Sequence, residues 1–334
     1  MFNLVPVASI GIIFVVTFLM TFAATPRIAK TMRARGITGM DIHKLTKTEV
    51  PEMCGFAIII GLVVGVLAYI ILFPAAIREA VAFIGTVLLA GAIGIIDDLR
   101  PLGARAKPVL TAFACLPLLL LGTYVPFPDI PLYGTVRFTI VYPLLIPIAI
   151  AVTSNATNMM DVMNGAMPGT IAIIALTATG VMLWSGNLQT AALAAGLFGA
   201  MLAFYYFNRF PSKVFDGDTG SLSVGAAVGA LAILGRIEAV MIVALMPFIM
   251  NAFYGLTSVR GLRERREILQ RPTKLLDNGL LQASDEKGAP VTLARLILAA
   301  GPLSEKEVVR CMIVLTIVSS LLAVFTYWIT VAVK

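Results

Sequence analysis

The sequence predicts an all-α integral membrane protein of about ten transmembrane helices, with both termini outside. Three observations carry that expectation. Of the 334 residues, 59% are hydrophobic and only 13% charged, against about 25% charged in an ordinary soluble domain. A water-soluble fold of this length has no core large enough to hide so much apolar surface. The apolar residues gather in runs near the roughly 20 residues that a helix needs to cross the bilayer core. The basic residues are shared very unequally between alternate loops.

Taken in order, the expected spans cover residues 4–24, 54–74, 79–96, 108–124, 138–154, 168–185, 188–208, 219–236, 237–258 and 308–332. Helices are expected because lipid offers no partner for a free backbone amide, and the alternation of a membrane barrel is absent. The first run has no basic residue before it. It also exceeds the roughly 7–15 apolar residues of a signal sequence, so it reads as a retained span. The chain is expected to form a single polytopic domain over 1–334, with 259–307 as a long cytoplasmic loop. Cys54, Cys115 and Cys311 lie in or beside apolar runs without metal-ligand spacing and read as packing residues.

Charge sets the expected orientation. With ten spans, 21 of the 25 Lys and Arg residues fall on one side, leaving Arg78, Arg137, Arg236 and Lys334 on the other. That split places the basic loops in the cytoplasm. The net charge of +7 is thus mostly topological, and nucleic-acid binding is excluded because no basic segment belongs to a separate folded module.

The acids are the informative residues. Only Glu79, Asp129 and Glu238 of the 18 fall on the outer side. Acids contribute little to topology, so their sidedness needs another cause. Asp97 and Asp98 end the third span as adjacent carboxylates at the unfavourable end of a helix dipole. That pattern suits a Mg²⁺ or general-base site, or a solvated loop. Lys107 precedes the next span and can return to face the pair. Asn155, Asn158 and Asp161 recur at intervals of three, a spacing that puts their oxygens on one helical face. The run Phe215-Asp216-Gly217-Asp218-Thr219-Gly220-Ser221 opens the eighth span. Asp218 or Thr219 there could cap the helix, and the helix N-terminus could receive a phosphate. The last loop carries Arg260, Arg263, Arg265 and Arg266, then Arg271 and Lys274. Arg suits bidentate phosphate contacts, although an interfacial amphipathic helix would also use the first four. The apolar stretch 291–300 is too short to span. His43 is the single histidine, so no His-based metal site or triad can form.

Hard-cation ligands and phosphate-binding groups on one membrane face fit Mg²⁺-dependent phosphoryl transfer. An ion-coupled transporter would place its ionisable groups near the bilayer midplane, where these spans have almost none. A lipid-binding scaffold without activity gives no reason for paired acids.

These motifs together make the chain resemble the polyprenyl-phosphate N-acetylhexosamine-1-phosphate transferase family. The resemblance runs nearly end to end. It is carried by Asp41-Ile42-His43-Lys44 leading to Val50-Pro51-Glu52, by Asp97-Asp98 with Lys107, by Asn155-Ala156-Thr157-Asn158, and by Phe215 through Ser221. The histidine-rich motif of bacterial members is missing from the last loop. Together with Val291-Thr292-Leu293 through Gly301-Pro302-Leu303-Ser304-Glu305, this is similar to the eukaryotic and archaeal branch, which uses UDP-N-acetylglucosamine and dolichyl phosphate. The small size points to an archaeal member, hence to the plasma membrane.

The resemblance implies a set of roles. Asn158 and Asp218 would hold Mg²⁺, with Mn²⁺ as a substitute. Asp97 and Asp98 would orient or deprotonate the lipid phosphate, and Lys107 would contact the pyrophosphate. Phe215 would stack on uracil, Asn164 would bond its edge and Glu52 would reach the ribose. Lys44 joins them on the substrate side, and Arg271 and Lys274 would bind phosphates. Val162 and Asp216 depart from the family pattern, which expects a small and an apolar residue there. The implied reaction transfers N-acetylglucosamine-1-phosphate to dolichyl or another polyprenyl phosphate and releases UMP, the first step of a lipid-linked oligosaccharide. The same transfer with another UDP-N-acetylhexosamine, for a cell-wall or surface glycan, is the alternative. A homodimer is expected from relatives.

Overall fold

The computed structural model describes residues 4–263, 268 and 270–332. Arg265, Arg266 and Lys334 lie outside the described residues. In chain order the elements are α1 (Leu4–Ala34), β1 (Thr38–Met40), β2 (Glu49–Pro51), α2 (Phe56–Leu72), α3 (Ile77–Leu99), α4 (Ala106–Phe113), α5 (Leu116–Leu120), β3 (Asp129–Ile130), β4 (Gly134–Thr135), α6 (Val141–Met160) and α7 (Ala166–Trp184). They continue with α8 (Leu188–Asn208), α9 (Gly217–Gly235), α10 (Glu238–Ala244), α11 (Met246–Ser258), β5 (Thr273–Leu275), β6 (Leu281–Ala283), α12 (Leu293–Leu298) and α13 (Glu305–Ala332).

Among the described residues, seven helical stretches are long and apolar enough to cross a membrane, or eight if α10 and α11 count as one bent span. The chain is thus a multi-pass membrane protein. Two further apolar helical stretches, Phe56–Leu72 and Ala106–Leu120, are shorter.

Two expected spans are broken rather than straight. The segment expected over 237–258 bends by 65° between α10 and α11, and that expected over 108–124 divides into α4 and α5. Proline accounts for both. Pro247 and Pro117 stand in the first turns of α11 and α5. A proline lacks the amide that would bond the carbonyl four residues back and clashes with it. The affected carbonyls, Val243 and Phe113, lie next to the breaks.

Purely helical structure was expected, whereas three short antiparallel hairpins also form. They pair β1 with β2, β3 with β4 and β5 with β6. The first matters most for the site. Its register of Thr38 to Pro51, Gly39 to Val50 and Met40 to Glu49 fixes Glu52 just beyond the strand end.

The centre of the bundle is α9, buried on nearly every side. Its sequence is rich in Gly, Ala and Ser, which lets neighbouring backbones approach closely. A Cβ on Gly94 of α3 would fall 2.3 Å from the Asp218 carbonyl oxygen, and one on Gly225 of α9 would fall 2.5 Å from the Thr153 carbonyl oxygen of α6. Only glycine permits these contacts, and they draw one end each of α3, α6 and α9 together.

Candidate active site

Four helix ends converge on one ammonium. Asp97 is in the last turn of α3, Lys107 in the first turn of α4, Asn158 in the last turn of α6 and Asp218 in the first turn of α9. Lys107 Nζ lies 2.7 Å from Asp97 Oδ2 and 2.7 Å from Asp218 Oδ2, and it donates to Asn158 Oδ1 at 3.2 Å. Asn158 Nδ2 donates to Asp218 Oδ1 and to Ser221 Oγ at 2.8 Å. Asp97 also accepts the Leu102 amide at 2.5 Å, which pins the turn after α3. Asp97 is buried, while the Lys107 and Asp218 side chains keep 17% and 26% of their exposure. The cluster is therefore sheltered but reachable from one side.

Asp98 sits beside Asp97 in sequence but has a different task. Its Oδ1 accepts the Asp218 amide at 2.8 Å, and its Oδ2 accepts the Thr219 amide at 2.9 Å and the Thr219 hydroxyl at 2.6 Å. These are the orphan donors of the first turn of α9. The positive end of the α9 dipole thus receives a carboxylate that the end of α3 would otherwise disfavour. Asp216 occupies the cap position of α9 but makes no cap hydrogen bond, so the cap comes from another helix and not from Asp218 or Thr219. Asp98, expected to act with Asp97 on the lipid phosphate, has both oxygens accepting hydrogen bonds from the first turn of α9.

The face expected to join Asn155, Asn158 and Asp161 does not form, because α6 ends at Met160 and Asp161 is past the helix. Asn155 donates to Thr111 Oγ1 and to the Ala151 carbonyl, both at 2.8 Å, and so ties α6 to α4. Asp161 instead lies beside Asp216. Burial pushes the Asp161 carboxyl up to about 6, with the charges of Glu52 and Asp98 adding to it against the pull of Asp216. Burial and the adjacent Asp161 hold Asp216 well above the ordinary carboxylate range. Two such acids share protons rather than both ionising.

A second polar cluster lies beside the first. Asn164 is buried; its amide nitrogen donates to Asp41 Oδ2 at 2.9 Å and its backbone amide to Glu305 Oε1 at 2.8 Å. Asp41 also pairs with Lys44. Burial works to raise the Asp41 carboxyl, but bonds from Lys44 and Asn164 outweigh it and hold Asp41 below its ordinary value. Asn208 accepts the Gly165 amide at 2.9 Å and donates to the Val214 carbonyl at 2.8 Å, locking the 161–165 and 209–216 segments together. Phe215 and Glu52 close on the same glycine: a Cβ on Gly39 would come within 3.2 Å of the Glu52 Oε2 and of the Phe215 ring. Backbone bonds join these segments, from Phe215 N to the Pro51 carbonyl at 2.8 Å and from Cys54 N to the Phe215 carbonyl at 2.8 Å.

The structure thus assembles Asp97, Lys107, Asn158 and Asp218, and close by Lys44, Glu52, Asn164 and Phe215. It does not bring Lys274 to them, since that ammonium is exposed on β5 and lies 3.4 Å from Glu286. Arg271 is exposed just before β5. Asn208 and Glu305 escaped sequence reasoning. Each sits among polar or charged neighbours at the edge of an apolar run, where a helix cap or a solvated loop is the ordinary explanation.

The donors around Lys107 are carboxylate and amide oxygens, the hard set that Mg²⁺ takes when substrate phosphates complete its shell. Among the described residues no three His, Cys, Asp or Glu side chains gather as a self-sufficient metal site. A divalent ion here would therefore rest on Asp218 and Asn158 together with ligand oxygens. The Asn158 amide faces Asp218 with its nitrogen, and a half-turn of the amide would present its oxygen.

Residues 80–236 match the family described as glycosyl transferase family 4. Over 331 residues the chain is 28% identical to a Sulfolobus acidocaldarius protein provisionally named a UDP-N-acetylglucosamine–dolichyl-phosphate N-acetylglucosaminephosphotransferase, covering 96% of each chain. A Methanocaldococcus jannaschii protein provisionally named a glycosyltransferase is 32% identical over 272 residues, 81% of each chain. A phospho-N-acetylmuramoyl-pentapeptide-transferase of Shouchella clausii is 32% identical over 214 residues, 59% of this chain and 64% of the relative.

Proposed function

This chain belongs to glycosyl transferase family 4, and from that premise we propose that it transfers N-acetylglucosamine-1-phosphate from UDP-N-acetylglucosamine to dolichyl or another polyprenyl phosphate, releasing UMP. The names of its archaeal relatives support the sugar and the lipid. The observation that carries the reading is the Lys107 ammonium held between Asp97 and Asp218 at 2.7 Å each, because phosphoryl transfer between two anions needs charge neutralisation more than covalent chemistry.

The lipid phosphate oxygen attacks the β-phosphorus of the UDP-sugar. The new P–O bond forms as the bond to the bridging oxygen breaks, and UMP leaves with that oxygen. Lys107 offsets the repulsion between the two anions, at a site where partial burial strengthens its field. Asp97, turned toward Lys107 and not consumed by a helix cap, is the carboxylate that orients the lipid phosphate. Asp98 holds the α9 N-terminus, and with it Asp218, in place. Phe215 and Glu52 over Gly39 form the nucleoside end, with Asn164 and Lys44 beside them. Arg271 and Lys274 would reach the phosphates only after the last loop moves inward.

Mg²⁺ (or Mn²⁺) would be held by Asp218 and Asn158, and when bound it supplies neutralisation of the pyrophosphate oxygens. The site faces the cytoplasm of the plasma membrane, both termini lie outside, the ten apolar segments all cross, and the protein works as a homodimer in the first step of a lipid-linked oligosaccharide for protein glycosylation.

The test is UMP release by detergent-purified protein given dolichyl phosphate, Mg²⁺ and a panel of UDP-sugars. Lipid-dependent release from UDP-N-acetylglucosamine, abolished by chelation, is expected. Release from another UDP-N-acetylhexosamine alone would correct the sugar. No release from any UDP-sugar by folded protein would overturn the reading.

A further inference from the structure

A cavity lies between the end of α8 and the start of α13, about 480 Å³ in volume. Its lining includes four cations, Arg209, Lys213, Lys306 and Arg310, and among the described residues no carboxylate. The cations are ordered by aromatic faces. Arg209 and Lys213 stand 5.1 and 5.7 Å from the Tyr206 ring centre, and Lys306 stands 4.9 Å from that of Phe210. Two acids on α13 stand nearby: Glu307 accepts the Ser304 amide at 2.8 Å and hydroxyl at 2.7 Å and also feels the Arg310 charge, and Glu305 accepts the Asn164 amide. Four cations around one hollow repel each other, and an anion would relieve that cost.

The lining changes character along α13. On the cavity wall Lys306 and Arg310 alternate with Val309 and Ile313. Beyond them α13 exposes Val314, Ile317 and Leu321 at 57%, 41% and 65%, an apolar flank suited to acyl chains. A soluble anion would use only the cationic half.

From this sequence of cationic cavity and apolar flank we infer that the α8–α13 cavity binds the phosphate headgroup of an anionic membrane lipid, with its chains along α13. This lipid is distinct from the acceptor, because the Lys107 cluster is built by other helix ends. Asn164 lines the cavity and also bonds Asp41, so the bound headgroup adjoins the nucleoside end of the site.

The experiment reads lipid binding and not turnover, so it stands or falls apart from the transferase reading. Delipidated protein in neutral detergent is titrated with phosphatidylglycerol and with phosphatidylcholine and observed by native mass spectrometry. Each cation near a phosphate headgroup contributes about fivefold. K306Q/R310Q should therefore bind phosphatidylglycerol about twentyfold more weakly, while the charge-conserving K306R/R310K, a control for folding, retains binding. K30Q/R33Q, which removes two exposed cations at the end of α1, should leave it unchanged. Preference for phosphatidylglycerol over phosphatidylcholine is expected, as is resistance to millimolar inorganic phosphate. Equal weakening in K30Q/R33Q, no weakening in K306Q/R310Q, no headgroup preference, or ready displacement by inorganic phosphate would each overturn the proposal.

Discussion

The Asp97–Asp218 pair and the Asp161–Asp216 pair are built from the same residue type at the same end of the bundle, yet they are held by different partners. Asp97 and Asp218 share the Lys107 ammonium at 2.7 Å each. Asp161 and Asp216 lie against each other, and burial raises both. A carboxylate pair with a resident cation is ready to exchange that cation for another positive partner. In the second pair Asp216 is buried and Asp161 half-buried, and burial favours their protonated forms. The difference lies in what the loops bring: Lys107 arrives from α4, whereas Asp161 and Asp216 meet where two loops fold onto the buried end of α9.

Substitution at the first pair should have the largest effect. Asp218→Asn should lower UMP release by about a thousandfold or more while leaving the melting temperature near wild type, as expected when preorganised charge is lost from a transition state. An equal loss from Asp161→Asn would erase the distinction between the pairs. Lys107→Met should cost about a hundredfold, measured with saturating lipid and UDP-sugar. A near-normal rate in this variant would mean that the ammonium only fills space between Asp97 and Asp218.

Asp98→Ala sharpens the comparison from the side of structure. Loss of the α9 cap should destabilise by about 1–2 kcal/mol, seen as a lower melting temperature, with activity falling as α9 shifts. Asp98→Asn should recover much of the stability, since its oxygen can still accept.

The second pair should show itself in pH dependence. Asp161 is raised from 3.8 to about 6 in the folded protein, so folded protein keeps a proton that unfolded protein has released. Its contribution to stability is full below the unfolded value near 3.8 and is lost as pH rises through about 6. The wild-type melting temperature should therefore decline across that window. Asp161→Asn should flatten the decline, with turnover at neutral pH changed by no more than a few fold. An unaltered slope would remove the shared-proton account. The smallest effect belongs to Lys274→Gln: an exposed lysine paired with Glu286 at 3.4 Å should change turnover by less than about twofold unless the last loop closes on substrate.

Much of this was legible in the chain itself. The apolar runs located the helices because hydrophobic length reports directly on bilayer thickness. Lys107 is placed to return toward the Asp97–Asp98 pair, and it reaches Asp97. Asn158 and Asp218 were named without knowing that they touch. The roles of Asp98 and Asp161 were not legible. Adjacent acids look alike in sequence, and a three-residue spacing predicts a shared face only while the helix lasts; α6 stops at Met160. The cation cavity was equally hidden, because Arg209 and Lys213 are remote in sequence from Lys306 and Arg310.

Composition and the run of apolar residues specify a multi-pass helical protein with its chemistry gathered near helix ends. Those features follow from composition and local spacing, which act within one span or one turn. Tertiary structure decided which carboxylate is neutralised by which partner. That choice depends on how closely α3 and α6 approach α9 at Gly94 and Gly225, and on where Pro117 and Pro247 interrupt their helices. Such contacts join residues remote from one another in the chain, and local spacing carries no record of them.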